Sequence, residues 1–271
     1  MKRLGVEMKG YREALKLLSN LADRMYSSVS DVLRSGPGGN SPKEFGRRLD
    51  YASASALREA LEESGYRPRV ISEEWFDDYR HYDDDILVVD PVDGTSNLSR
   101  GVPFSAVSLA LARGPYMEDV YAGMVKNIFT GDEYFAYKGE GAYKNGVRIR
   151  VSKTLKTIEA FISLSIVHQY PGKSSTLDLL RYTNYPRHLG SAALEDCFVA
   201  EGVLDAHVDV RGSLRVFDIA ASQLIVREAG GKVYMTQDGD SSISLERVYG
   251  IRIVSASTPQ LLEKILDILG V

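Results

Sequence analysis

Two carboxylates three residues apart, in Asp90-Pro91-Val92-Asp93-Gly94-Thr95-Ser96-Asn97, carry the densest chemistry in this chain. They follow directly on Ile86-Leu87-Val88-Val89, a short apolar run that reads as a buried strand. The acids therefore sit where a strand stops, fixed by the packing behind them. Pro91 stiffens the turn, and Gly94 lets the backbone approach a ligand closely. A hydroxyl and an amide follow at once. Hard oxygen ligands beside free backbone N–H groups suit a divalent cation holding a phosphate. Asp, Pro and Gly also favour plain turns, so the motif alone fits either chemistry or a strand-to-turn exit.

Three further groups could join it. Ile71-Ser72-Glu73-Glu74 runs a short strand into paired acids, and Glu73 is a candidate ligand. A solvated loop is the plainer alternative there, since Asp77, Asp78, Asp83, Asp84 and Asp85 make acidic loops common nearby. The run from Asp83 to Asp85 reads as solvated surface, because nothing apolar fixes its geometry. Val216-Phe217-Asp218-Ile219-Ala220-Ala221 opens a helix that stops at Gly230-Gly231, with Val216, Ile219, Ala220 and Leu224 as its buried stripe. Asp218 falls in its first turn, where a carboxylate also complements the helix dipole. In His188-Leu189-Gly190-Ser191-Ala192-Ala193, Ser191 can cap a helix and leave N–H groups free for an anion. Capping alone would also account for it.

The elements that must position these residues are legible from periodicity. Helices are expected from near Glu7 to before Gly36 and from Phe45 to near Gly65, joined by a Gly- and Pro-containing loop. Strands at 69–71, 86–89, 106–111, 120–126, 133–137 and 142–143 come next. The tail alternates: strand 160–164, helix 176–182, strand 186–189, helix 192–202, strand 206–210, helix 216–228, strands 232–234 and 251–254, helix 259–269. Helices and strands layered in this way make an α/β or α+β chain with large sheets. A soft boundary at 153–159 separates residues 1–155, helical and meandering with the first acid motif, from the alternating residues 156–271 with Asp218. The two halves are expected to form one compact catalytic unit.

The 271 residues carry a net charge of −4 with Lys and Arg scattered, which argues against a nucleic-acid partner. Cys197 is the single cysteine, so no intrachain disulfide or cysteine-based zinc site is possible. Its apolar setting marks it as a core residue. No apolar run approaches the ~20 residues needed to span a bilayer. Nor does the N-terminus carry a signal peptide's apolar core. A cytoplasmic protein without a membrane partner is expected.

Asp90 to Asn97, then Gly190-Ser191-Ala192-Ala193, then Phe217-Asp218-Ile219-Ala220-Ala221 through Glu228-Ala229-Gly230-Gly231 stand in the order of the inositol monophosphatase superfamily. The chain resembles these metal-dependent, lithium-sensitive phosphatases over nearly its whole length. Phe217 replaces their usual tryptophan. The resemblance implies a layered α-β-α-β-α sandwich of the inositol monophosphatase and fructose-1,6-bisphosphatase type. A closer resemblance, carried by Val208-Asp209-Val210-Arg211-Gly212-Ser213-Leu214-Arg215, is to the archaeal-type branch that hydrolyses both inositol monophosphates and fructose 1,6-bisphosphate. Inositol-specific relatives usually place an acid seven residues before the last metal-binding Asp, where this chain has Arg211. A guanidinium there suits a second phosphate, and Arg187 could converge with it.

The resemblance also implies roles for single residues. Glu73, Asp90 and the Val92 carbonyl would hold one Mg²⁺. Asp90, Asp93 and Asp218 would hold a second, with Asp90 bridging and Mn²⁺ able to substitute. Such a metal pair clamps the attacking and leaving oxygens of an in-line displacement. Thr95 and Glu73 would orient and help deprotonate the attacking water, with Asp93 completing the catalytic groups. Gly94, Thr95, Ser96 and Asn97 would cradle the phosphate, and Gly190, Ser191 and Ala192 would border the substrate. A third, weaker metal is linked in relatives to a mobile loop, where Lys43 and Asp50 are this chain's candidates at a stretched spacing. The partner is a small phosphorylated substrate, and the assembly a homodimer or homotetramer. Two alternatives remain open: a 3′-phosphoadenosine 5′-phosphate phosphatase with the same metal motifs, and an inactive phosphate-binding relative.

Overall fold

The computed structural model describes residues 10–39, 41–73, 83–166 and 176–270. Two helices lead, α1 (Tyr11–Ser35) and α2 (Pro42–Ser64). α1 buries Ala14, Leu18, Leu21, Ala22, Met25 and Val29, a stripe at helical period. Its expected start near Glu7 lies outside the described residues. α2 opens on a capping box: Ser41 Oγ accepts from the Glu44 amide at 3.3 Å, and Glu44 accepts from the Ser41 amide at 2.8 Å. Gly65 ends it in the left-handed region.

A meander follows, hydrogen-bonded in chain order: β1 (Arg69–Ser72), β2 (Ile86–Asp93), β3 (Ala106–Ala112), β4 (Val120–Asn127), β5 (Glu133–Tyr137), β6 (Gly141–Lys144) and β7 (Val147–Arg148). Only the β1–β2 pair is parallel. The short helix α3 (Thr95–Ser99) sits between β2 and β3. The second sheet is built from β8 (Phe161–Leu164), β9 (Tyr185–Arg187), β10 (Ala206–Leu214), β11 (Lys232–Gln237) and β12 (Ile251–Ala256), in the order β11-β12-β10-β8-β9. The remaining helices are α4 (Thr176–Leu179), α5 (Ala192–Ala200), α6 (Val216–Glu228) and α7 (Pro259–Leu269).

These elements stack as an α-β-α-β-α sandwich. α1 and α2 share one core with Leu87, Val89, Leu109 and Leu111 of the first sheet. α5 and α6 share another with Val88, Ala106 and Ala110 from that sheet's other face and Leu214, Ile251 and Ile253 from the second. α7 closes the far side over Val208, Val254 and Ala256. α6 therefore has a sheet on each side, and every residue from Val216 to Val226 is buried rather than a single stripe. Among the described residues no helix is long and apolar enough to cross a membrane.

β2 has buried neighbours on both faces and reads as a continuous apolar run for that reason. Its alternation sends Leu87 and Val89 toward α1 and α2, and Val88 toward α5 and α6. Asp90 pairs with Ser108 and Asp93 with Ala106, so β2 advances three residues while β3 advances two. The extra residue is a β-bulge at Pro91-Val92, where proline has no N–H for the ladder. Without the slip, Asp90 and Asp93 would point to opposite faces, because side chains alternate along a strand. With it, Val92 packs on the α2 side, and both acids turn to the side of α5 and α6.

The expectation that the run from Asp83 to Asp85 is solvated fails at its last member. Asp85 is 2% exposed. It accepts hydrogen bonds from the Tyr66 hydroxyl at 2.8 Å and the Tyr121 hydroxyl at 3.1 Å, and Arg113 lies 2.8 Å away. The apolar anchor is two tyrosine rings from distant segments, which local sequence does not reveal. Removing one partner of a buried, hydrogen-bonded charge pair costs about 3–5 kcal/mol. Asp85→Ala should lose stability on that scale in urea unfolding, and a change within error of zero would return Asp85 to the solvated surface.

Candidate active site

The slip in β2 brings two acids to the face where α6 supplies a third. Asp218 is the third residue of α6, and its Oδ2 accepts from the amide of Arg215, the residue that precedes the helix, at 2.8 Å. Phe217 is buried and offers its ring to the Arg215 guanidinium, 4.5 Å from the centroid. Asp90, Asp93 and Asp218 are all buried. Burial first, and the neighbouring carboxylates second, hold Asp90 well above the ordinary carboxylate range and push Asp93 up to about 7. Burial also raises Asp218, against the pull of Arg215. Asp90 Oδ1 accepts from the Val92 amide at 3.0 Å, while its Oδ2 is buried without a partner.

Asp93 Oδ2 accepts from the Ser191 hydroxyl at 2.5 Å and the Ala193 amide at 2.8 Å. Ser191 therefore does not cap α5 through its side chain. The Ala193 amide expected to stay free for an anion is taken by the chain's own carboxylate, which the positive end of the helix attracts as it would a ligand. Glu73 follows β1 with a half-exposed side chain and is ion-paired to Arg215. Arg215 also reaches Asp218 Oδ1 through Nε at 3.1 Å and Nη2 at 3.0 Å. Glu74 lies outside the described residues. Among the described residues no three His, Cys, Asp or Glu side chains close into a metal cage. The acids are instead committed to Arg215 and to α5. The donor set nevertheless fits Mg²⁺: hard carboxylate oxygens, one of them orphaned, in a buried cluster short of positive charge.

α2 contributes a group that the sequence assigned elsewhere. Thr95 Oγ1 lies 3.0 Å from Asp50 Oδ1 and 2.8 Å from the Val92 carbonyl oxygen, two acceptors for its one proton. One turn earlier stands Gly46, where a Cβ would come within 2.9 Å of Thr95 Cγ2. One turn later the Ser53 hydroxyl donates to the Pro91 carbonyl at 2.8 Å. Gly46, Asp50 and Ser53 share one helix face by their spacing of four and three. That spacing of a small, an acidic and a hydroxyl residue was the available signal. Asp50 thus meets Thr95, while Lys43, its expected companion, is exposed.

The segment expected from the sequence to cradle the phosphate is strongly braced. Gly94 has φ 85°, and a Cβ there would sit 3.0 Å from the Phe104 carbonyl oxygen. Asn97 Nδ2 donates to the carbonyls of Phe104 at 2.9 Å and Leu189 at 2.7 Å, so its amide ties the Gly190 turn to α3. Ser96 is exposed and Ala192 buried. From below, Glu195 accepts from the amides of Leu189 at 3.0 Å and Gly190 at 3.3 Å and lies 3.3 Å from His207 Nε2. His207 Nδ1 is 2.9 Å from Asp196. Burial opposes a charge on His207, but Glu195 and Asp196 prevail and raise its pKa to about 9. Sequence reasoning gave His207 no role. The two arginines are engaged apart: exposed Arg187 lies 5.0 Å over the Phe161 ring, and Arg211 forks Asp209 with Nε–Oδ1 at 2.9 Å and Nη2–Oδ2 at 2.5 Å.

The family model for the inositol monophosphatase family matches residues 9–269. The chain belongs to that family of metal-dependent phosphatases and is a phosphomonoester hydrolase. A fructose-1,6-bisphosphatase/inositol-1-monophosphatase of Methanothermobacter thermautotrophicus is 35% identical over 254 residues, 90% of this chain and 88% of the relative. A protein of the same name from Archaeoglobus fulgidus is 33% identical over 94% of this chain and 98% of its own. The crystal structure of the extragenic suppressor protein suhB from Bartonella henselae superposes with a TM-score of 0.75 at 24% identity, covering 95% of this chain and 99% of that one. That likeness confirms the layered fold.

Two outcomes test this site. Asp50→Asn should lower turnover by about 10²-fold or more, the scale of a lost acid–base partner, without lowering the melting temperature much. Turnover like the wild type would remove Asp50 from the chemistry. In metal-free protein, the raised pKa of Asp93 stabilises the fold at low pH, and that stabilisation is lost as pH rises from the ordinary 3.8 through about 7. His207 adds a second window, with stabilisation present below 6.5 and lost as pH rises through about 9. The metal-free melting temperature should therefore fall steadily toward alkaline pH, and Asp93→Asn should flatten the acidic part of that fall. A level profile in the wild type would contradict both assignments.

Proposed function

We propose that this chain hydrolyses small sugar and polyol phosphates, inositol 1-phosphate and fructose 1,6-bisphosphate, with Mg²⁺. The observation that carries this reading is the buried convergence of Asp90, Asp93 and Asp218 with one carboxylate oxygen left unpartnered. The names of the two archaeal relatives support the substrate pair. Glu73, Asp90 and the Val92 carbonyl would hold one ion, and Asp90, Asp93 and Asp218 a second. When bound, these ions supply positive charge to the phosphate and the departing alkoxide, in one of the slowest uncatalysed reactions known.

The chain's own groups handle the proton and the orientation. Thr95 Oγ1 can take a proton from water while passing its own to Asp50 Oδ1, which lies within hydrogen-bond reach. Glu73 would help orient that water. Backbone N–H groups from Gly94 to Asn97 would cradle the phosphate, held in place by the Asn97 and Glu195 braces. Gly190, Ser191 and Ala192 would border the substrate. Arg211, oriented by Asp209, would read a second phosphate, with Arg187 beside it. Both halves of the chain supply ligands, so we infer that they work as one catalytic unit, in a cytoplasmic homodimer or homotetramer.

Phosphate release from inositol 1-phosphate, fructose 1,6-bisphosphate and 3′-phosphoadenosine 5′-phosphate, measured with Mg²⁺, without it and with Li⁺, tests the reading. The first two should be cleaved only with Mg²⁺, and less with Li⁺. A clear preference for the nucleotide would overturn the substrate assignment. Arg211→Ala should lose more activity on the bisphosphate than on the inositol phosphate, and equal losses would remove Arg211 from substrate selection.

A further inference from the structure

Among the described residues, Arg215 is the one guanidinium in contact with acids from both prospective metal sites. Its Nη1 meets Glu73, and its Nε and Nη2 meet Asp218 Oδ1. The Arg215 amide takes the other Asp218 oxygen, and the Phe217 ring backs the guanidinium. The side chain is only 24% exposed, so these contacts are largely screened from water. Charge-assisted hydrogen bonds to two acids, made by a single partly buried guanidinium, hold more firmly than an exposed surface pair does. Nothing in the phosphatase chemistry described above uses it.

We propose that Arg215 is a resident counter-cation that holds Glu73 and Asp218 in the metal-free protein and competes with divalent ions for them. The inference rests on the proposed Mg²⁺ site. Both carboxylates on Arg215 belong to the residues proposed above as metal ligands. A carboxylate oxygen has few lone pairs, and two cations close together repel. Metal entry therefore has to draw Glu73 off Arg215. Glu73 is the partner able to leave, being half exposed just beyond β1, whereas Asp218 is also held by the Arg215 amide at the start of α6. Arg215 thus prevents like charges from driving β1 and α6 apart while metal is scarce, and it weakens metal binding by the same contacts.

Calorimetric titration of the metal-free full chain with Mg²⁺, beside melting with EDTA and with saturating Mg²⁺, tests this in wild type and Arg215→Gln. The variant should bind Mg²⁺ about tenfold more tightly, the scale of a single coupled interaction. It should also melt lower than wild type in EDTA, with most of that gap closed by saturating Mg²⁺. Equal or weaker Mg²⁺ binding by the folded variant overturns the proposal. Absence of Mg²⁺ binding in wild type overturns the proposed function along with it. Should Arg215→Gln fail to fold, labelling of wild type with phenylglyoxal, followed by peptide mass spectrometry, gives a second readout. Arg215 should react faster in Mg²⁺ than in EDTA, and an unchanged or slower rate overturns the competition.

Discussion

Three carboxylates forced together out of water are the constraint around which the rest of this structure is arranged. Asp90 and Asp93 come from the end of a strand, and Asp218 from the start of a helix in the other half of the chain. Burial raises the pKa of each, and for Asp90 and Asp93 the repulsion of neighbouring carboxylates adds to it. Every nearby feature answers that repulsion. The first turn of α5 faces Asp93, the first turn of α6 faces Asp218, and Arg215 spans to Glu73. The unpartnered oxygen of Asp90 marks what these devices leave unmet.

Much of this is legible in the chain alone. The long amphipathic helices and the apolar strands fell within a few residues of their observed limits, because period and caps are local properties. The family signatures were equally legible, since their order and spacing are specific. Asp85 was not, because the two tyrosine hydroxyls that bury it come from β4 and from the turn before β1. The contact that Asp50 makes with Thr95 was hidden for a similar reason. The two residues are remote in sequence, and only the close approach of α2 at Gly46 brings them together. Ser191 looked like a helix cap, and the register slip that aims Asp93 at it could not be seen from its own neighbourhood.

The loops around that slip are gripped from several elements. The Gly190 turn is gripped by Asn97 from α3 and by Glu195 from α5, and Glu195 is itself steadied by a charged, buried His207. The Pro91 bulge is gripped by Ser53 from α2. Each segment that would touch substrate is therefore held through backbone carbonyls or amides. Side-chain chemistry at the surface of the site is left comparatively sparse, which suits a reaction whose demands are mainly electrostatic.

The attachment of Asp50 to α2 has a consequence for how such an enzyme can change over generations. The acids proposed to hold metals and Asp50, proposed to receive the proton from Thr95, sit on different elements, joined where Gly46 admits Thr95. Small adjustments in the packing of α2 can therefore retune the speed of the chemistry while leaving metal retention nearly untouched. A lineage could drift in rate, or adapt to a new temperature, through positions on one outer helix that never meet substrate or metal.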